Sequence, residues 1–191
     1  YRPFFRFRHV AEYIPANQVE FMRFHLRSQG SNTALLSDYT MIGAPSGVHT
    51  FYLYSQAIPA NRSDLWSMDE NGVRQPPQGP FGPELCLSNP DTAAIFTEEL
   101  RRYIRQDRER YAQLGFPYPT LYDISQNDGY AYFCRCPECR ALIARYGGEP
   151  SGLLLDFINR IAAGIREEFP DVKVQTLADR KSTRLNSSHG Y

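Results

Sequence analysis

The sequence predicts an α/β fold in which helices alternate with the strands of a parallel sheet. Strand-like and helix-like segments follow one another along the chain, which is the order that a parallel sheet requires. No glycine-rich phosphate loop or dinucleotide fingerprint follows any strand, and this disfavours a nucleotide-binding Rossmann domain. The other architecture of this kind is the (β/α)8 TIM barrel, which needs about 250 residues. The chain of 191 residues is therefore expected to form a partial TIM barrel, roughly half of one, truncated at both ends.

Four segments have the composition or the alternation of strands. The first covers residues 4–9, and the second is the aromatic-rich segment 47–54. The third, 120–126, ends at an Asn-Asp-Gly turn, and the fourth, 172–177, alternates apolar and polar residues. The carboxyl ends of parallel strands meet at one edge of a sheet, where the active sites of such folds lie.

Helices are predicted between these strands. The strongest signals belong to the second helix, where Asn89 is a suitable N-cap and Pro90 occupies the first helical position. Ser151 is the predicted N-cap of the last helix. The segment 55–83 is predicted to be a long loop, because it is rich in proline and turn residues. The predicted helices cover residues 18–28, 90–114, 137–146 and 151–169.

Composition excludes several classes of function. Lysine plus arginine and aspartate plus glutamate both total 21, so the net charge is zero, which disfavours binding to nucleic acid through its phosphates. No segment is apolar over the length needed to span a bilayer. Residues 1–178 are expected to be native sequence that starts at a cut. Residues 179–191 are expected to be a non-native tail, because they are polar, aperiodic and interrupt the last strand.

The sharpest polar cluster follows the third strand. Asp128 would serve as a general acid or base if a partly apolar setting raised its pKa. Gln126 and Asn127 are expected to bind substrate hydroxyls, and Tyr130 to stack on a sugar ring. The alternative interpretation is an ordinary Asn-Asp-Gly turn.

Two further residues fall at predicted strand ends. Arg8 closes the first strand, and His49 lies in the second strand segment among aromatic residues. A lone histidine is more often structural than catalytic. A histidine that faces a carboxylate at a strand end is a reasonable substrate ligand, so both residues are included in the predicted sugar site.

The cysteines have the spacing of a metal site. Cys136 and Cys139 form a C-x2-C knuckle, Cys134 precedes them, and Cys86 would complete a four-thiolate zinc site. Disulfides between Cys86 and one of the other three are a competing interpretation, and free thiols are a third. No further ligand set indicates catalytic zinc, so a metal here would be structural.

Six short motifs in this order resemble a bacterial domain-of-unknown-function family. That family is of the glycoside-hydrolase-like TIM-barrel type, related to α-glucuronidases and β-hexosaminidases. The motifs are GVHTF (47–51), DENGVR (69–74), LCLSNP (85–90), SQND (125–128), CxCxxC (134–139) and SGxL (151–154).

The resemblance implies a glycoside hydrolase that acts on polysaccharide, with a carbohydrate substrate and a periplasmic, cell-surface or extracellular location. β-Hexosaminidase-type enzymes carry an Asp-Glu pair where this chain has Asn127-Asp128, which argues against substrate-assisted cleavage of N-acetylhexosamines. Glycosidases use two carboxylates, so a second one is expected on a later barrel strand. The alternatives are a non-catalytic carbohydrate-binding barrel and an interaction module stabilised by structural zinc.

Overall fold

A computed structural model of the protein describes residues 42–45, 47–76, 78–115, 117–128 and 133–177. The predicted strand at 4–9 and the predicted helix at 18–28 lie outside the described residues. Arg8, Tyr130 and the predicted tail at 179–191 also lie outside them. The positions of these segments and residues therefore stay predictions.

The segment 47–54 is not a strand, so that prediction is wrong. Its second half forms a one-turn helix, α1 (Phe51–Tyr54). Gly47 and His49 have φ angles of 117° and 59°, which no extended strand accepts. Phe51 and Tyr54 are both fully buried, as helical neighbours three residues apart are when one face packs on a core. Core packing outweighs the strand propensity of these aromatic residues.

The predicted loop at 55–83 contains more regular structure than its composition indicates. Short 3-10 turns cover Ser55–Ala57, Ser63–Leu65 and Gly79–Phe81. Strands β1 (Ser67–Met68) and β2 (Arg74–Gln75) form an antiparallel hairpin.

The long helix α2 (Pro90–Leu114) confirms the prediction for this segment at both ends. Asn89 Oδ1 accepts the backbone N–H of Asp91 at 3.0 Å, as an N-cap side chain does. Gly115 ends the helix in the left-handed conformation, with φ of 69°. Strand β3 (Leu121–Asp123) follows and is shorter than predicted.

Two more helices and a strand complete the described chain. They are α3 (Pro137–Arg145), α4 (Pro150–Ile165) and β4 (Lys173–Gln175). Helix α4 has Glu149 as its N-cap, so the prediction of Ser151 is wrong. Pro150 occupies the first helical position instead, where its missing N–H leaves no hydrogen bond unmade.

The parallel sheet is built around β3. Strand β4 pairs with it in parallel, with Leu121 opposite Lys173 and Asp123 opposite Gln175. Ile42 forms a parallel bridge to Leu121 on the other side of β3. Helix α2 leads into β3 and α4 leads into β4, so the described chain is a mixed α/β structure of strand–helix repeats. The described strands form no closed barrel, and the TIM barrel stays a prediction.

The core lies where α1, α2 and α4 meet. The rings of Phe51, Phe96 and Phe157 contact one another edge to face, with centroids 5.3 to 5.6 Å apart. Tyr54 stacks on Phe96 at 5.1 Å. Helices α2 and α4 approach closely, because a Cβ on Gly164 would lie 2.8 Å from Thr97 Cγ2. This packing anchors α1, and with it His49, beside the carboxyl end of β3.

Candidate functional site

A buried carboxylate holds together the segments at the carboxyl end of β3. Asp123 is 1% exposed, and its oxygens accept hydrogen bonds from Thr50 Oγ1, Ser125 Oγ and Gln175 Nε2. Burial raises the pKa of Asp123 above its usual value, and the hydrogen bonds partly oppose this rise. Asp123 therefore holds the segments of the site together through hydrogen bonds and is not exposed at the surface of the site.

His49 is held in a fixed position above this support. Its backbone N–H donates to Ser125 Oγ at 2.7 Å, and its Nδ1 lies 2.8 Å from the carbonyl oxygen of Gln126. A carbonyl only accepts, so Nδ1 carries the hydrogen and Nε2 is directed to another partner. A φ of 59° in a residue other than glycine costs about 1–3 kcal/mol, and such strain is concentrated at functional sites.

Asp128 is that partner. Its Oδ1 lies 3.6 Å from Nε2 of His49, and its side chain is 50% exposed, against 20% for His49. The backbone N–H of Asp128 donates to the carbonyl oxygen of Pro80 at 2.6 Å. The structure thus brings together two residues predicted for the site, and we call them the Asp128–His49 pair.

Gln126 and Asn127 have a different position from the one predicted. Both side chains are fully buried. Asn127 Oδ1 accepts the N–H of Tyr52 at 3.0 Å, while Nδ2 donates to the carbonyl oxygen of Pro83 at 3.0 Å. The prediction that these amides bind substrate hydroxyls does not fit this burial. Asn127 instead joins α1 to the segment before α2.

Sequence reasoning missed several residues of this site. Thr50 and Glu84 are fully buried polar residues, and the Asn127 N–H donates to Glu84 Oε2 at 3.3 Å. Asp123 had a usable signal, because it is an acidic residue inside an otherwise strand-like segment. Thr50 and Glu84 had none, since nothing in their local sequence indicates burial.

The four cysteines form a compact cluster, the four-cysteine centre, made of Cys86, Cys134, Cys136 and Cys139. All four are buried free thiols, and their sulfurs lie within 4.8 Å of one another. Cys86 Sγ is 3.7 Å from Cys136 Sγ and 3.9 Å from Cys139 Sγ. The structure thereby confirms that the cysteines are clustered at metal-binding distance.

These distances fit a tetrahedral metal site. At a Zn–S distance of about 2.3 Å, the sulfurs of such a site lie about 3.8 Å apart. A disulfide would need two sulfurs about 2.05 Å apart. Four thiolates are the donor set that structural zinc prefers, so the residues present fit the ion.

Neighbouring groups lower the pKa of Cys86 and raise those of Cys134 and Cys139, so they favour a thiolate at Cys86 alone. The Met68 N–H donates to Cys134 Sγ at 3.3 Å, and the Cys139 N–H donates to Cys136 Sγ at 3.4 Å. Hydrogen bonds from Cys134 and Cys139 lower the pKa of Cys86, and the Arg74 guanidinium beside it acts in the same direction. The same contacts raise the pKa of Cys139, so the thiols do not ionise independently.

The β1–β2 hairpin and the connection between β3 and α3 are both linked to the four-cysteine centre. Arg135 N–H donates to the carbonyl oxygen of Met68 at 2.8 Å, and Cys86 N–H donates to the carbonyl oxygen of Leu65 at 2.9 Å. Cys134 follows Asp128 within the same connection between β3 and α3. A metal in the four-cysteine centre would therefore fix one end of the connection that carries Asp128.

Fold and site together define a mixed α/β domain with a four-cysteine centre and a carboxylate–imidazole pair at a sheet edge. The chain belongs to the family described as a domain of unknown function (DUF4838), whose sequence profile matches residues 1–184. No significant match was found among curated proteins or among solved structures. Within the described part of the chain, none of the helices has the length and apolar character needed to cross a membrane.

Proposed function

We propose that this domain is part of a glycoside-hydrolase-like TIM barrel and hydrolyses O-glycosidic bonds of polysaccharide. The chain order of the sheet supports the barrel, since Ile42, β3 and β4 are sheet neighbours in the order in which they occur. Sequential neighbours joined by helices are the pattern of (β/α)8 barrels. On its resemblance to the glycoside-hydrolase-like family, we place the protein in the periplasm, at the cell surface or outside the cell.

The Asp128–His49 pair is the observation that carries the proposal. Asp128 lies beyond the carboxyl end of β3, half exposed, with His49 Nε2 3.6 Å away. In the proposed reaction, Asp128 donates a proton to the leaving glycosidic oxygen. His49 lies beside the carboxyl group, with Nε2 3.6 Å from Oδ1, and its ring is held there because its own Nδ1 is fixed on Gln126.

The reaction also needs a second carboxylate. Asp123 and Glu84 are the described carboxylates packed around this loop, and both are buried. Neither presents an oxygen to a sugar at the surface. We therefore place the second catalytic carboxylate on another strand of the barrel.

The proposal is tested by replacing Asp128 with asparagine in the whole protein. The substrates are cello-, xylo- and chito-oligosaccharides, whose basic leaving oxygens need a proton from the acid. Asp128→Asn should lower the hydrolysis rate about 10²- to 10⁴-fold, as loss of a general acid does. Asp64→Asn is the matched control, because the Asp64 side chain is equally exposed but pairs with Arg62 away from the site. Binding of these sugars without product would support a non-catalytic carbohydrate-binding barrel instead.

The cysteine geometry supports a second function, the binding of one structural zinc ion. Cys86, Cys134, Cys136 and Cys139 would all be ligands, leaving no coordination position for a substrate. The ion would join the segment before α2 to the start of α3, where Cys136 is the N-cap. It would supply structural stability and no chemistry.

Metal analysis of the purified whole protein tests this function. We expect about one equivalent of zinc, with four thiols that react after chelation under denaturing conditions. The control is thiol titration with chelator but without reductant under denaturing conditions, which detects any disulfide. Less than about a tenth of an equivalent of zinc, together with cysteines found as disulfides, would contradict it.

A further inference from the structure

We propose that Phe81 is the stacking platform on which a pyranose ring lies while Asp128 acts on its glycosidic bond. The inference rests on the function proposed above and adds a specificity-determining residue to it. Phe81 is 70% exposed, the largest exposed fraction of any large hydrophobic side chain in the described part of the chain. Its ring is therefore presented to solvent.

The backbone around Phe81 is attached to the catalytic loop on both sides. Asp128 N–H donates to the carbonyl oxygen of Pro80 at 2.6 Å, and Asn127 Nδ2 donates to that of Pro83 at 3.0 Å. These two hydrogen bonds bracket Phe81 in the sequence and place it beside Asp128. The Gly79–Phe81 turn also contacts α1, the helix that directly follows His49 and Thr50.

The turn that carries Phe81 is tight. Gly79 has φ of 71°, and Gly82 N–H donates to its carbonyl oxygen at 3.2 Å. A Cβ on Gly82 would lie 2.2 Å from the backbone nitrogen of Gln78, so only glycine fits there. The tight turn fixes the backbone position of Phe81 before a ligand arrives, which lowers the entropy lost on binding.

The neighbouring groups indicate which ligand fits. A pyranose ring has an apolar face of C–H groups and an edge of hydroxyl groups. Phe81 offers an aromatic surface to the face, while Asp128 and His49 offer a carboxylate and an imidazole to the edge. The combination favours a sugar whose C–H groups form one continuous face.

The test compares Phe81→Ala with Phe81→Trp in the whole protein. Dissociation constants for cellotetraose, xylotetraose and chitotetraose are measured by calorimetry, and their hydrolysis by product release. Phe81→Ala should raise the dissociation constant of the bound tetraose about 10- to 100-fold, which corresponds to uncovering one aromatic side chain. Phe81→Trp should stay within about threefold of the wild type, since it keeps the stacking surface.

Val73→Ala is the matched control, because Val73 is 52% exposed but lies in the hairpin turn, away from the loop. A Phe81→Ala dissociation constant within about threefold of the wild type would overturn the platform. So would an equal loss in Val73→Ala. In either case, a rate loss in Asp128→Asn would leave the proposed hydrolase intact. Binding of none of the three tetraoses would overturn both proposals.

Discussion

Free zinc should stabilise the folded protein by about 1.4 kcal/mol for each tenfold rise in its concentration above the dissociation constant. This slope follows from the geometry, because four sulfurs within 4.8 Å of one another hold a single ion. Cys86 and Cys136 are 50 positions apart, so the unfolded chain does not assemble the site. At a thousandfold excess over the dissociation constant, the stabilisation is about 4.1 kcal/mol.

Two variants separate metal binding from packing. Cys139→Ser removes a ligand from a fully buried position, so the dependence on zinc should largely disappear. Leu87→Ala removes a fully buried side chain next to Cys86 and leaves all four thiols in place. It should lower the free energy of unfolding by about 2–5 kcal/mol at every zinc concentration and keep the slope.

The assay is urea unfolding at pH 7 in a series of metal buffers that set free zinc. The free energy of unfolding is plotted against the logarithm of zinc concentration for the three proteins. A flat line for the wild type would refute the metal site. An equal slope for Cys139→Ser and the wild type would refute this set of ligands.

Three further predictions concern stability and the Asp128–His49 pair. Burial raises the pKa of Asp107 above its usual value of 3.8. The wild type should therefore lose stability relative to Asp107→Asn as the pH rises from 3.8 through the raised pKa. Urea unfolding at a series of pH values measures this loss. Gly164→Ala should destabilise the fold by about 1–3 kcal/mol, measured by thermal unfolding, because its Cβ would lie 2.8 Å from Thr97 Cγ2. His49→Asn keeps a side chain that tolerates positive φ but lacks Nε2, so it should lower hydrolysis while the melting temperature holds.

Each of the three has an outcome that would contradict it. A stability difference between the wild type and Asp107→Asn that stays constant across pH would show that the buried carboxylate does not titrate abnormally. An unchanged melting temperature for Gly164→Ala would mean that α2 and α4 have room to separate. An unchanged hydrolysis rate for His49→Asn would remove His49 from the positioning of Asp128.

Local signals were sufficient to predict the bounds of α2. Asn89 and Pro90 define the start of α2, and Gly115 its end, through capping chemistry that depends on only a few residues. The segment 47–54 was predicted wrongly because strand propensity says nothing of the positive φ at His49, which tertiary contacts impose. Glu149 replaced Ser151 as N-cap because the proline at 150 already starts the helix.

The candidate site was only partly predictable for a similar reason. The C-x-C-x2-C spacing together with Cys86 predicted a four-thiolate metal site, and the structure confirms that the four sulfurs lie close together. Asp128 and His49 were identified separately, since only the fold shows that Nε2 and Oδ1 lie 3.6 Å apart. Phe81 had no sequence signal, because one aromatic residue in a proline-rich segment fits a core as well as a surface. Its exposure depends on the hydrogen bonds that hold Pro80 and Pro83 against Asp128 and Asn127.

The position of a bound oligosaccharide tests the central claim most directly. The measurement is a crystal structure of the whole protein with Asp128→Asn, which should bind the sugar without cleaving it. We predict a glycosidic oxygen within about 3 Å of the side chain at position 128, with a sugar ring lying on Phe81. An oligosaccharide bound away from position 128 and from His49 would contradict the account.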